Sequence, residues 1–173
     1  MTENELKAAF EDHKDAVYRF AWRMMNSATA AEDVAQDVFL SLLRQPARFD
    51  PGRGQLRSFL LGITRNLVLK RWRDEYRWEE LNDERFPAKS LTISSDDVVE
   101  IVGEAVGSLP PLQREVLILA EYEELALDEI ARAVDSEIGT VKSRLHRARE
   151  NLRRMLAPLK PPNGVRSNHG TVR

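Results

Sequence analysis

Apolar positions recur at steps of three and four along almost the whole chain, the period of helices that pack on one face. Leu6, Phe10, Val17, Phe20, Ala21 and Met24 predict one or two opening helices. Ala31, Val34, Ala35, Val38, Phe39, Leu42 and Leu43 draw a second stripe, and Thr29-Ala30-Ala31-Glu32 has the capping-box spacing that would start its helix. Pro46 ends it, and Phe49-Asp50-Pro51-Gly52-Arg53-Gly54 reads as a loop by its glycine and proline content. Leu56 to Arg73 predicts another helix. From Trp72 to Ser95 the pattern fades, and 82–95 is read as a linker.

A second helical unit starts near Asp96, where Ser94-Ser95-Asp96-Asp97 supplies caps and negative charge. Pro110-Pro111 ends one helix and opens the next, with Leu112, Val116, Leu117 and Ala120 on its apolar side. Leu127 to Val134 is a short helix, followed across the break Asp135 to Ile138 by a last one, its stripe running Ile138, Val141, Leu145, Ala148, Leu152 and Met155. Two short helices in that order are the layout of a helix-turn-helix, whose second helix enters the DNA major groove. Prolines after Ala157 stop the last helix, and 159–173 is expected to be a disordered tail. No segment alternates strongly enough to predict a strand. The expected fold is all-α: two small helical domains, 1–81 and 96–158, joined by a flexible acidic linker.

Charge sharpens this picture. The net formal charge is only −2, but its distribution is uneven. Pro51 to Arg73 holds six bases (Arg53, Arg57, Arg65, Lys70, Arg71, Arg73) and no acid. Thr140 to Arg154 holds six more against Glu150 alone, while Glu79 to Glu100 has seven acids and two bases. Two basic blocks separated by an acidic joint fit two contacts with one polyanion. At about 100° per residue, the last stripe turns Ser143 and Arg147 away from the packed side. Lys142 and His146 flank them on one edge, Thr140 and Arg144 on the other. Gly139 leaves room for a phosphate or base edge, Ser136 is placed to cap the helix, and Arg149 falls nearer the core edge, fitting a phosphate contact or a salt bridge. Arginine and lysine donate to guanine O6 and N7, so this face suits base readout.

Other chemistries find little support. There is no cysteine, hence no disulfide and no thiolate metal site. His13, His146 and His169 lack metal-ligand spacing, and no phosphate loop or nucleophile–base arrangement is present. Acids are plentiful, but none is read as isolated in an apolar run where its pKa would be pushed. No enzyme activity, cofactor or metal is expected. The acidic start, Met1 to Glu5, is not followed by a signal-peptide pattern, and no apolar run approaches a membrane span.

Three segments of the second unit resemble region 4 of bacterial extracytoplasmic-function sigma factors, of the sigma-70 family: Leu109-Pro110-Pro111-Leu112-Gln113-Arg114-Glu115-Val116-Leu117, Asp128-Glu129-Ile130-Ala131, and Gly139 to Arg149. Ala31 to Phe39 and Phe59 to Leu67 resemble region 2 of the same family. The resemblance implies a cytoplasmic, monomeric protein that binds core RNA polymerase, directs it to promoters and opens the DNA, in a stress or envelope response. It implies −35 readers at Lys142, Ser143, His146 and Arg147, with Arg114 and Arg144 on phosphates and Thr140 at the edge of that face. It places −10 recognition on the loop Phe49 to Gln55 and the helix after it. There Phe49 and Phe59 would stack or line a pocket for a flipped base, Gln55 and Asn66 bond base edges, and Arg53 and Arg57 hold phosphates. Lys70, Arg71 and Arg73 extend this surface toward duplex DNA.

Glu32, Asp33, Gln36 and Asp37 match the family helix that docks on the clamp helices of the polymerase largest subunit. The i,i+4 like charges Asp33 and Asp37 suit a basic partner. Trp72, Tyr76 and Trp78 fit base stacking or packing between helices equally. The acids of the joint, Glu79, Glu80, Asp83, Glu84, Asp96 and Asp97, fit nucleic-acid mimicry inside polymerase as well as plain solubility. Many family members are held by an anti-sigma factor over both DNA-binding domains. The sequence departs from the family pattern at Glu124, Ala126 and Asp135, where glycine, a small hydroxyl residue and a turn glycine are frequent. The competing function is a stand-alone helix-turn-helix regulator.

Overall fold

The computed structural model describes residues 1–75 and 96–159, and every regular element among them is helical. The expected linker, Tyr76, Trp78 and residues 160–173 lie outside the described residues. Helix α1, Glu3–Met25, opens on a reciprocal cap: the Glu5 N–H donates to Thr2 Oγ1 (3.2 Å) and the Thr2 N–H to the Glu5 carboxylate (2.6 Å). It stops at Asn26, whose left-handed backbone (φ 52°) lets its N–H reach back to the Trp22 carbonyl. Helix α2, Ala28–Arg44, starts two residues earlier than the capping box at Thr29 predicts. Ser27 is the cap, accepting from the Ala30 N–H. Short 3-10 turns at Pro46–Arg48 and Pro51–Arg53 fill the proline-rich loop before α3, Leu56–Glu75. Val17, Phe20, Met24, Val34, Val38, Leu42, Leu60, Leu61 and Val68 make the core between these three helices.

The second unit begins at α4, Val98–Gly107, capped by Asp97 on the Val99 N–H. Pro111 opens α5, Pro111–Leu117, which runs into a π-helical turn, Ile118–Tyr122, that the sequence pattern does not announce. Helices α6, Leu127–Ala133, and α7, Ile138–Leu156, complete the helix-turn-helix. Two of the three departures from the family pattern fall where the backbone is left-handed, Glu124 (φ 55°) and Asp135 (φ 50°). A side chain there costs more than glycine. At the third, Ala126, half a capping box survives, since its N–H still donates to Glu129.

Beyond two helical units, the structure packs them together. Helix α3 lies on α6, and α1 on α4, α5 and the π turn. Most of the buried apolar residues, from both halves, form one continuous cluster. Gly62 of α3 lets the two helices come close: a Cβ there would stand 3.4 Å from the Ala133 Cα and carbonyl oxygen.

Candidate nucleic-acid interface

Helix α7 sorts its residues sharply. Val141, Leu145 and Ala148 are buried, while Lys142, Ser143, His146 and Arg147 are exposed on the opposite side. Thr140 and Arg144 lie at the half-buried edge, as the helical period requires. The predicted stripe frays at its ends: Leu152 and Met155 are half-buried, and Ile138 is 43% exposed because it begins the helix beyond the core. Ser136 is not the cap. The helix opens at Glu137 without a side-chain cap, and the Ser136 hydroxyl instead accepts from Arg144 Nη1 (3.3 Å). Arg149 pairs with Glu121 at 2.6 Å, the salt bridge its edge position allows.

The other basic block is arranged differently. Asp50 Oδ1 accepts from the Gly52 N–H, and Gly54 takes a backbone (φ 149°, ψ −177°) that a residue with a Cβ rarely adopts. That turn brings Phe49 against Phe59, ring centroids 5.5 Å apart and tilted by 49°. Gln55, Asn66, Lys70 and Arg73 are exposed, and Arg53 is exposed with its carbonyl accepting from Arg132 of α6. Arg57 is half-buried: Nη2 meets the Glu123 carboxylate at 2.5 Å and Nη1 the Glu123 carbonyl at 2.8 Å. Arg71 sits between Asp33 (3.8 Å) and Asp37 (3.7 Å), so those like charges already have a cation within the chain. Glu32, Asp33, Gln36 and Asp37 all face outward on α2. Trp72 is buried and packs, with the Arg114 guanidinium 5.6 Å from its ring centroid.

Arg114 points to the N-terminal half. It donates to the Met24 carbonyl (2.5 Å) and the Leu109 carbonyl (2.8 Å), and burial pushes its pKa down to about 10. The expectation that no acid sits in an apolar setting does not hold. Glu115 and Glu123 have 0% and 1% of their side chains exposed. Burial raises the Glu115 pKa, and the hydrogen bond and charge of Arg65, with the charge of Arg144, oppose that rise. Arg65 grips Glu115 through Nε (2.8 Å) and Nη2 (3.1 Å). A spacing signal was available: Glu115, Leu119 and Glu123 recur at steps of four on one helical side, and all three are buried. Among the described residues no cluster could hold a metal ion, and no helix is long and apolar enough to cross a membrane.

Known proteins match this arrangement in both halves. Residues 9–78 match the family model described as Sigma-70 region 2, and residues 100–152 the one described as Sigma-70, region 4. The chain therefore has the two-part build of the sigma-70 class. It is 32% identical over 162 residues to the ECF RNA polymerase sigma factor SigW of Bacillus subtilis, a match that covers 85% of this chain and 86% of SigW. It is 35% identical over 153 residues to the ECF RNA polymerase sigma factor SigE of Mycolicibacterium smegmatis, covering 84% of this chain but 59% of SigE. In three dimensions it is similar to the sigma factor RpoE in its co-crystal with the anti-sigma factor NepR from Bartonella quintana, with a TM-score of 0.70 and 26% identity over 88% of this chain and 97% of RpoE. The chain belongs to the ECF RNA polymerase sigma factors, and is thus a protein of transcription initiation.

Proposed function

We propose that this chain binds core RNA polymerase and directs it to promoters whose −35 element is read by α7 and whose −10 element is taken up by the loop before α3. The carrying observation is the face of α7: Lys142, Ser143, His146 and Arg147 stand exposed, backed by the buried Val141, Leu145 and Ala148. A rigid helix presenting donors at major-groove spacing is what duplex readout needs. Arg144 and Thr140 flank that face, and Arg114, turned inward in this arrangement, reaches phosphate only when the halves part. On the N-terminal side, the Phe49–Phe59 pair offers stacking surface beside Gln55 and Asn66, with Arg53, Arg57, Lys70, Arg71 and Arg73 as the phosphate-binding rim. Glu32, Asp33, Gln36 and Asp37 present an acidic docking face to the polymerase clamp.

The protein acts by binding, without catalysis of its own, in the cytoplasm and as a monomer. An anti-sigma factor is a further partner, since the similar RpoE was crystallised with one. Changing Lys142, Ser143 and Arg147 together to alanine tests the reading. Promoter-directed transcription should vanish while affinity for core polymerase stays the same, and equal loss of both would end the division of labour.

A further inference from the structure

Helix α7 lies on α5 through the apolar stripe of Val141, Leu145 and Ala148, and the stripe thins toward its C-terminus, where Leu152 and Met155 are only half-buried. Apolar contact is non-directional, so it holds the helix down without fixing its rotation about its own axis. Direction comes from two polar pairs. Asn151 Nδ2 donates to Gln113 Oε1 of α5 (2.7 Å), and Arg149 pairs with Glu121 of the π turn (2.6 Å). At about 100° per residue, Asn151 falls on the Thr140–Arg144 edge of the stripe and Arg149 on the Lys142–His146 edge. The pairs bracket the apolar contact, so a roll of α7 in either direction pulls one of them apart.

The two are not equal. Arg149 and Glu121 are half exposed, and water replaces their bond at little cost. Gln113 is 3% exposed, and its amide, once parted from Asn151, has little water to turn to. Asn151 is itself held, its Oδ1 accepting from Arg154 while its Nδ2 serves Gln113. Gln113 is anchored in turn at the start of α5, where its N–H donates to the Pro110 carbonyl (3.0 Å). A buried polar pair of this kind fixes register at some cost in stability, as a core asparagine does in a coiled coil.

We propose that Gln113 and Asn151 are positioning residues for −35 readout: the pair sets the rotation of α7, and thereby which bases Lys142, Ser143, His146 and Arg147 select, although neither lies on the reading face. The inference rests on the reading of α7 as the −35 reader. The lever is sensitive. Side-chain ends stand about 5–6 Å from a helix axis, so a roll of ~20° carries a donor about 2 Å, out of hydrogen-bond range of a base edge.

The probe is a duplex DNA library with a randomised core, from which the full-length protein selects its best sequence at low salt. Affinity is then measured for that duplex, for its single-base variants and for a duplex of mixed sequence. Gln113→Met with Asn151→Leu removes the pair at similar side-chain size. It should lower discrimination against at least one single-base variant by about fivefold or more, with affinity for the mixed-sequence duplex held within about twofold. Asn151→Asp should keep the parent's discrimination, because Gln113 turns its Nε2 donor to the carboxylate.

Unchanged discrimination in the double variant overturns the inference. So does a loss by the same factor for every duplex, which is what a merely structural role produces, and so does an Asn151→Asp variant that discriminates as poorly as the double one. If Lys142→Ala with Ser143→Ala and Arg147→Ala leaves the parent's discrimination intact, the −35 assignment itself fails, and the inference with it.

Discussion

The two basic blocks are near twins in sequence, six cations each and almost no acid, yet the fold treats them oppositely. On α7 the apolar residues bury one side and leave Lys142, Ser143, His146 and Arg147 in the open. On the loop and α3, Arg57 and Arg65 are turned into the seam between the halves and matched to Glu123 and Glu115. Charge density along a chain therefore says which segments favour a polyanion, but not which cations are free to meet one. That depends on where the acids end up, and here they arrive from the other unit.

The largest effect should come from the open block. Each good base contact is worth ~1–3 kcal/mol, so the triple alanine change on α7 should lower transcription from the cognate promoter by a hundredfold or more, measured by run-off yield. Next is the continuity of the core that holds both surfaces. Ile130 is fully buried, and Ile130→Ala should cost ~2–5 kcal/mol in urea unfolding. Because one apolar cluster spans both halves, loss should appear as one shifted transition. Two separate transitions would show that the halves fold independently.

Reversing the acidic face of α2 with Asp33→Arg and Asp37→Arg should weaken polymerase binding at least about tenfold while leaving the helical circular dichroism unchanged, since exposed ion pairs such as those with Arg71 contribute little. Unchanged affinity would remove that face from the docking surface.

Smaller still is a pH effect. Burial raises the Glu115 carboxyl above its ordinary 4.5, so the folded protein binds that proton more tightly than the unfolded chain does. Its contribution to stability is complete below about pH 4.5 and is lost as pH rises through the raised value. Glu115→Gln should flatten the part of the thermal stability profile that falls as pH rises above about 4.5, and an unchanged slope would contradict the assignment. The smallest change is Arg149→Ala. Its pair with Glu121 is half exposed on both sides, so it should cost less than about 1 kcal/mol and leave duplex affinity almost untouched.

Much of this was legible before any coordinates. The helical period located α1, α2, α5 and α7, caps and prolines marked the start and end of α4, and the period turned Ser143 and Arg147 outward without reference to any relative. The family resemblance then supplied the roles. Local chemistry was less reliable at the ends: Ser27 caps α2 in place of Thr29, and Ser136 serves Arg144 rather than the start of α7. The seam was the hardest to read, because its pairs join residues 66 and 50 positions apart, and no periodicity links positions in different elements. Glu115 reads as one more polar residue in Gln113-Arg114-Glu115, and only its helical spacing with Leu119 and Glu123 hints that it faces inward. The π turn has no compositional marker in Ile118 to Tyr122.

The most direct test of the account is competition for purified core RNA polymerase against a housekeeping sigma factor, read by co-elution. The account predicts that the protein displaces the housekeeping factor and co-elutes with the core enzyme, and that Asp33→Arg with Asp37→Arg fails to do so. A folded protein that leaves the housekeeping factor in place, yet binds duplex DNA on its own as a dimer, would contradict it.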